Sequence, residues 1–507
     1  MAYISGFDRK QTALFPSSVD ELIEENNIAR LVDVFINSLD LQKFGFLKTL
    51  QAEEGRPCYN PADLLKLYIY GYLNRIRTSR LLERECKRNI ELIWLLNGLQ
   101  PCFRTIAGFR SENPEPFKKL FAHFVQCCRK WQLIDGDIIG IDSTKFRAVN
   151  SKKNNYNQAK IDRQIEHVND KIESYFREMD QADAQQKDDI ADKIIAQAER
   201  GVKYDKLQEL LNNSEEDQIS TTDADARTMI LHGSVIEVAY NVQVAVDEKH
   251  KLIVHYQTTN VNDRKALFPM AMEVKRICRS KSLKALADKG YSNGEQLQQC
   301  TLNNIITYVA YQNVPRSSDI PTPEYYGDRF IYNETADCYT CPQGHVMKTT
   351  GHWYTKKYRK TSSVQVKHYK TTACKTCPVK QYCTKNPKGR CIERSEYAEA
   401  VEANNTRLNK EKSFYQLRQQ LCEHPFGTIK RQWGYDHILL KGLKKNNGEL
   451  GLIFLVYNLV RTINILGCNE LKKRPKRCFD KFSILLTLID DNILKKYFLS
   501  YSAPCKV

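Results

Sequence analysis

Five short apolar runs, separated by stretches with helical patterning, fix the fold class of this chain. They span residues 137–142, 239–247, 252–259, 282–288 and 304–311. The second and third are joined only by Glu248-Lys249-His250-Lys251, so they read as an antiparallel hairpin. Helical text at 263–279 and 293–300 separates the later runs. Strand, hairpin, helix, strand, helix, strand describes an α/β fold, a mixed sheet flanked by helices.

The sequence around these runs divides the chain further. Residues 1–130 read as a helical domain, with Asn60-Pro61 as an N-cap and first-turn proline. Arg75, Arg77, Arg80, Arg84, Lys87 and Arg88 give this region a basic helix. Short helices with one basic member suit a helix-turn-helix DNA reader or, equally, a bundle with a solvated basic face. Residues 131–320 hold the sheet, interrupted at 155–213. In that interruption Ile161, Ile165, Val168, Ile172, Tyr175 and Met179 form a heptad seam. Ile190, Ile194, Ala198 and Val202 continue it on a returning helix, with the turn at 181–189. This predicts a two-helix arm, which also suits dimerisation. Residues 321–395 are cysteine-rich, and 396–507 form a helical part that completes the core.

The charge balance narrows the partners. Lys and Arg number 77 against 60 Asp and Glu, a formal charge of +17 with a pI near 9.0. Such an excess favours a polyanion. Nucleic acid is preferred over a membrane because the positive charge is clustered and interleaved with Tyr and Trp. Met1 to Phe15 lacks the apolar segment of a secretory signal. The apolar stretch from Leu450 is broken by Asn458 and Arg461, so it reads as a buried core helix and not a membrane span. The 17 cysteines, odd in number and mostly scattered, fit reduced thiols in a cytoplasm.

Six of those cysteines lie between residues 338 and 391. Cys338-Tyr339-Thr340-Cys341 and Cys374-Lys375-Thr376-Cys377 have the spacing of paired zinc ligands. Four protein ligands would close the coordination sphere, making a structural Zn²⁺ in a small zinc-ribbon-like insertion. Cys383, Cys391 and His345 are substitute ligands. Lys348, Lys356, Lys357, Tyr358, Arg359, Lys360, Lys367 and Lys370 surround the cluster and suit phosphate contact.

Three acids stand apart from the rest. Asp142 and Asp288 each end an apolar run, and Glu423 lies in a helical stretch. Phosphodiester cleavage needs an activated oxygen nucleophile and a stabilised leaving oxygen, which two divalent ions supply. Mg²⁺ (or Mn²⁺) is held by a few carboxylates. Two strand-end aspartates and a helical glutamate make a sufficient set. Each has a plain alternative: a turn cap for Asp142, a lysine pair for Asp288, an exposed helix position for Glu423. Lys430 follows Glu423 by two helical turns, although Pro425 intervenes.

Several segments together resemble the DDE transposases of bacterial insertion sequences. They are Gly140-Ile141-Asp142-Ser143-Thr144-Lys145, Thr222-Asp223-Ala224-Asp225-Ala226-Arg227, residues 240–247, Ala287-Asp288-Lys289-Gly290-Tyr291, and Glu423-His424-Pro425-Phe426-Gly427 with Lys430-Arg431. The resemblance implies a ribonuclease H-like catalytic core with Asp142, Asp288 and Glu423 as the metal-binding triad. It implies DNA contacts from Lys430, Arg431, Arg418 and Tyr415. The family signature places three residues between the arginine and the glutamate, whereas four separate Arg418 from Glu423. The implied activity is binding of terminal inverted repeats, metal-dependent DNA cleavage and strand transfer into target DNA. A homodimer or larger assembly in a bacterial cytoplasm, at the nucleoid, is expected. The alternative is a non-catalytic zinc-containing regulator derived from such an enzyme. Asp225 and Arg227 read as an ion pair or a DNA-facing loop.

Overall fold

The structure is a computed structural model that describes residues 18–50, 54, 57–214, 216–232, 234–311, 319–358 and 362–474. The N-terminal stretch Met1–Phe15 and the basic pair Arg359 and Lys360 lie outside the described residues. The main sheet contains β1 (Ile138–Arg147), β2 (Arg227–His232), β3 (Val235–Asp247), β4 (Ile253–Thr259), β5 (Leu283–Ala287) and β6 (Ile305–Val309). β3 pairs antiparallel with β1, and β1, β5 and β6 run parallel. The outer edge of β3 carries β4 along its C-terminal half and β2 along its N-terminal half. Every residue from Val238 to Val246 is buried, as expected of a central strand covered on both faces.

The long apolar helix Leu443–Leu466 is the centre of the core. It is long and apolar enough to cross a membrane, yet most of it is buried against protein. Gly448 lets it touch the helix Pro114–Lys130: a Cβ there would sit 2.4 Å from Pro114 Cα. Asn458, the polar break in the apolar run, donates to Ile253 O (2.8 Å) and accepts from Ile253 N (2.9 Å), acting as an extra strand partner for β4. Buried Glu449 accepts from the backbone amides of Leu439 and Leu440. The N-terminus of the helix is capped from afar. Asp223 accepts from Gly442 N (3.0 Å) and Asp225 from Leu443 N (2.7 Å). This replaces the expected Asp225–Arg227 pair, since Arg227 instead meets Glu216 at 3.1 Å. Aspartates suit a helix start, where unpaired amides and the helix dipole favour negative charge.

The N-terminal helices join the same core, since one hydrophobic cluster includes Leu31, Tyr68, Phe117, Ile139, Val244 and Phe454. The predicted basic helix is Ser79–Arg88, and its cations are largely engaged. Arg84 and Arg88 meet Glu85, Lys87 meets Glu83, and Arg80 lies over Phe103. Arg77 is buried, donating to His437 O at 2.8 Å.

The interruption forms the helices Gln158–Asp180 and Ala184–Asn212, a two-helix arm. Its turn is shorter than the sequence predicts, because Asp183 and Gln186 make a capping box that starts the second helix early. The returning seam also differs. Packing of Tyr156, Ile161, Leu207 and Leu211 at the base sets the helix phase. That phase turns Gly201 toward Val168 and leaves Ala198 and Val202 exposed.

Residues 319–397 build a second sheet: β7 (Ile331–Asn333), β8 (Cys338–Thr340), β9 (Val346–Tyr358), β10 (Ser362–Lys370) and β11 (Ile392–Ser395). The strands pair antiparallel in the order β11-β10-β9-β8-β7. Among the described residues, Phe330, Tyr339, Met347, Tyr369 and Ile392 form a separate buried cluster, with Tyr332, Cys341 and Cys383 packed against it.

Candidate active site

Register places the two aspartates side by side. Ile141 of β1 pairs with Ala287 of β5, so Asp142 and Asp288 follow at the same level of neighbouring parallel strands. Asp142 accepts from Ser143 N (2.8 Å) and from Arg418 Nη1 (3.1 Å). Burial pushes its carboxyl up to about 6, against the pull of Arg418 and the Ser143 amide; the nearby Asp288 and Asp263 carboxylates raise it further. Asp288 accepts from Gly290 N at 2.8 Å.

The helix Lys412–Phe426 closes one side. Gly140 allows its approach, since a Cβ there would meet Cys422 Sγ at 2.8 Å and Leu421 Cβ at 3.0 Å. Arg418 and Cys422, one turn apart, therefore face β1. Tyr415 donates to Ala287 O (3.2 Å), tying the helix to the end of β5. Glu423 lies one residue beyond Cys422, about 100° round the helix. It is exposed, and Gln419 donates to its Oε1 at 2.9 Å. Between Arg418 and Glu423 it is therefore a cysteine that occupies the inward position. Burial and then the Asp142 carboxylate hold the Cys422 thiol protonated, well above its ordinary range.

After Phe426 the helix widens into a π-turn, Gly427–Gln432. This carries Lys430 onto β1, where Nζ donates to Thr144 Oγ1 (3.0 Å) and Lys145 O (2.8 Å). Arg431 is exposed.

One acid escaped the sequence reading. Asp263, in the turn after β4, lies near the aspartate pair. A Cβ on Gly290 would lie 3.0 Å from Asp288 Oδ1 and 3.6 Å from Asp263 Oδ2, so the two carboxylates converge over that glycine. Asp263 Oδ1 accepts from Asn241 Nδ2 (2.7 Å) and Gln243 Nε2 (2.6 Å), and Oδ2 lies 3.6 Å from Lys145 Nζ. Burial acts to raise its carboxyl, but the Asn241 hydrogen bond, Lys145 and the Ser143 and Gln243 hydrogen bonds hold it below the ordinary value. Asn241 and Gln243 are fully buried polar residues in a central strand, and Asn241 Oδ1 has no partner. Such residues mid-strand are the signal that something polar lies beside them.

Among the described residues, no group of three or more His, Cys, Asp or Glu stands in ready metal-holding geometry. Arg418 and Lys145 serve instead as counter-ions to Asp142 and Asp263.

Residues 340–463 match the family described as transposase DDE domain. Residues 17–112 match a second family, transposase domain (DUF772). Two separate segments of the chain are thus similar to transposase families, one of them of the DDE kind. The DDE-domain match includes the helix that carries Tyr415, Arg418 and Glu423, together with Lys430. The transposase segment 17–112 covers most of the N-terminal helices. Asp142 and Asp288 fall between the two matches. No curated protein matches the chain. One solved structure, the cryo-EM structure of the piggyBac transposase synaptic complex with hairpin DNA, aligns over 95% of this chain and 86% of its own. Its identity is 9% and its TM-score 0.33, too little shared geometry for one to inform the other.

Proposed function

We propose that this chain is a DNA transposase that binds the terminal inverted repeats of its element, cleaves DNA at their ends, and joins the freed 3′-hydroxyl to target DNA. The carrying observation is the juxtaposition of Asp142 and Asp288 at the ends of adjacent parallel strands. The sheet supports a ribonuclease H-like reading: an antiparallel β4-β3-β1 portion continues into parallel β5 and β6.

The donor set fits Mg²⁺ or Mn²⁺. Asp142, Asp288 and Asp263 offer hard oxygens, Glu423 stands at the rim of the same helix, and the nearby Cys422 thiol is held neutral. Bound there, two such ions would stabilise the attacking and leaving oxygens of the phosphodiester. The chain's own residues do the rest. Asn241 and Gln243 orient Asp263, Tyr415 fixes the end of β5, and Arg418 and Lys430 present cations for a DNA phosphate. Arg418 is released for that role once Asp142 has another counter-ion. Synapsis of two element ends calls for a dimer or larger assembly.

The test is incubation of the purified protein with Mg²⁺ and a duplex carrying the element's own inverted repeat. Cleavage at the repeat end with a 3′-hydroxyl is expected; cleavage indifferent to the repeat overturns the reading. Asp263→Asn should lower cleavage about 10- to 100-fold, as loss of an ion's supporting partner does, with duplex binding retained. Full activity in that variant would remove Asp263 from the site. Duplex affinity should also fall steeply with salt, by about 10³-fold or more between roughly 50 and 200 mM if six or more phosphates are neutralised. A flat salt response would show that the +17 charge does not serve DNA.

A further inference from the structure

Four cysteines line one cavity at one end of the second sheet, and they are not the four that the paired spacing suggests. Cys341, Cys374, Cys377 and Cys383 line one cavity of about 30 Å³, with His345 and Arg390 beside them. Cys338 does not line it. It sits in β8, hydrogen-bonded on both sides to β7 and β9, and is buried in the sheet. An extended strand advances about 3.3 Å per residue and alternates its side chains, so positions three apart point to opposite faces. Cys341 lies just past the strand, in a tight turn: Gly344 N donates to Cys341 O (2.8 Å) and Cys341 N to His345 O (2.9 Å). Cys374 lies in the 3-10 turn Thr372–Lys375 after β10, Cys377 two residues past it, and Cys383 ends the short helix Lys380–Cys383. Gly389 packs on this cluster with φ +92°, where a Cβ would lie 2.6 Å from Cys374 Cβ.

We propose that Cys341, Cys374, Cys377 and Cys383 bind one thiophilic divalent ion, best matched by zinc, as a structural site that closes the open end of the insertion. Two further observations point to that ligand. Arg390 lines the cavity with a buried Nε that has no hydrogen-bond partner. A zinc held by four thiolates carries a net charge of about −2, and an adjacent guanidinium offsets it. The second observation is the smallness of the insertion's core: among the described residues its buried cluster has five members for a five-stranded sheet, and Cys341 and Cys383 are packed against it. Cores of that size generally need a metal or disulfide staple. A cavity of this volume admits a single atom-sized guest. On binding, the thiols rotate inward to ligand distance and release their protons to solvent. No electron transfer is involved. The site is independent of the nuclease reading.

The test is metal analysis of the full chain and its single variants. Wild type, Cys338→Ser and Cys391→Ser should each retain about one equivalent of zinc through gel filtration. Cys374→Ser and Cys383→Ser should lose it. Co²⁺-exchanged wild type should show tetrahedral d–d bands with thiolate charge transfer. Should Cys383→Ser fail to fold, Cys383→His, which keeps a ligand, should retain cobalt with a shifted spectrum. Loss of metal from Cys338→Ser with retention in Cys383→Ser overturns the ligand assignment. A folded wild type that holds no zinc and takes up no cobalt overturns the site. Neither result bears on DNA cleavage by Asp288 variants, so the two proposals fail separately.

Discussion

Asp288→Ala is expected to lower Mg²⁺-dependent cleavage of an inverted-repeat duplex by at least ~10³-fold, with duplex binding almost unchanged. A metal ion placed at a reacting phosphate contributes several kcal/mol, and about 1.4 kcal/mol corresponds to tenfold in rate. Asp288 is held at the end of β5 by its own hydrogen bond to Gly290 N, so its carboxylate is placed before any ion arrives. The alanine variant should fold, because the half-buried aspartate caps only a single three-residue turn. Single-turnover cleavage and a gel-shift assay measure the two quantities. Cleavage within tenfold of wild type would mean that the paired strand ends are not the reaction centre.

Glu449→Leu should destabilise the fold by about 3–5 kcal/mol, the range seen when one partner of a buried charge arrangement is removed. Glu449 is fully buried, and its two oxygens accept three hydrogen bonds from Leu439 N and Leu440 N. Its charge also favours the buried Arg110 guanidinium, which donates to Tyr72 Oη and Arg77 O at 3.1 Å. Leucine fills the volume but strands two amides and a cation in an apolar interior. Glu449→Gln keeps an acceptor and should cost less. Denaturant unfolding compares the three proteins; a leucine variant as stable as wild type would show that this carboxylate is dispensable.

Five of the six main-sheet strands were legible because each is a run of apolar residues ended by polar ones; β2, which opens on Arg227 and ends on His232, and the strands of the second sheet were not. Asp142 and Asp288 stood out for the same reason, as charges at the ends of such runs. Asp263 did not, since it opens an ordinary helical stretch; only the fold brings it near Gly290. Cys338 and Cys341 look alike in the sequence, which does not say where β8 stops; in the structure Cys338 is paired within that strand and Cys341 lies just past it. Asp223 and Asp225 cap a helix that starts more than two hundred residues later, a contact that no local pattern encodes. Arg77 counted toward a basic face, but it is spent inside, beneath Tyr435 and bonded to His437. The place of Glu423 depends on helix phase, and one residue more or less after Arg418 decides it.

The helix Leu443–Leu466 is synthesised late, yet it supplies the middle of the interior shared by the N-terminal helices and the sheet. A nascent polypeptide therefore cannot finish folding its front portion until residue 466 has cleared the ribosome. Prematurely terminated products would lack the helix that joins these two parts, and with it a stable body. Folding of the front half is thereby tied to completed translation.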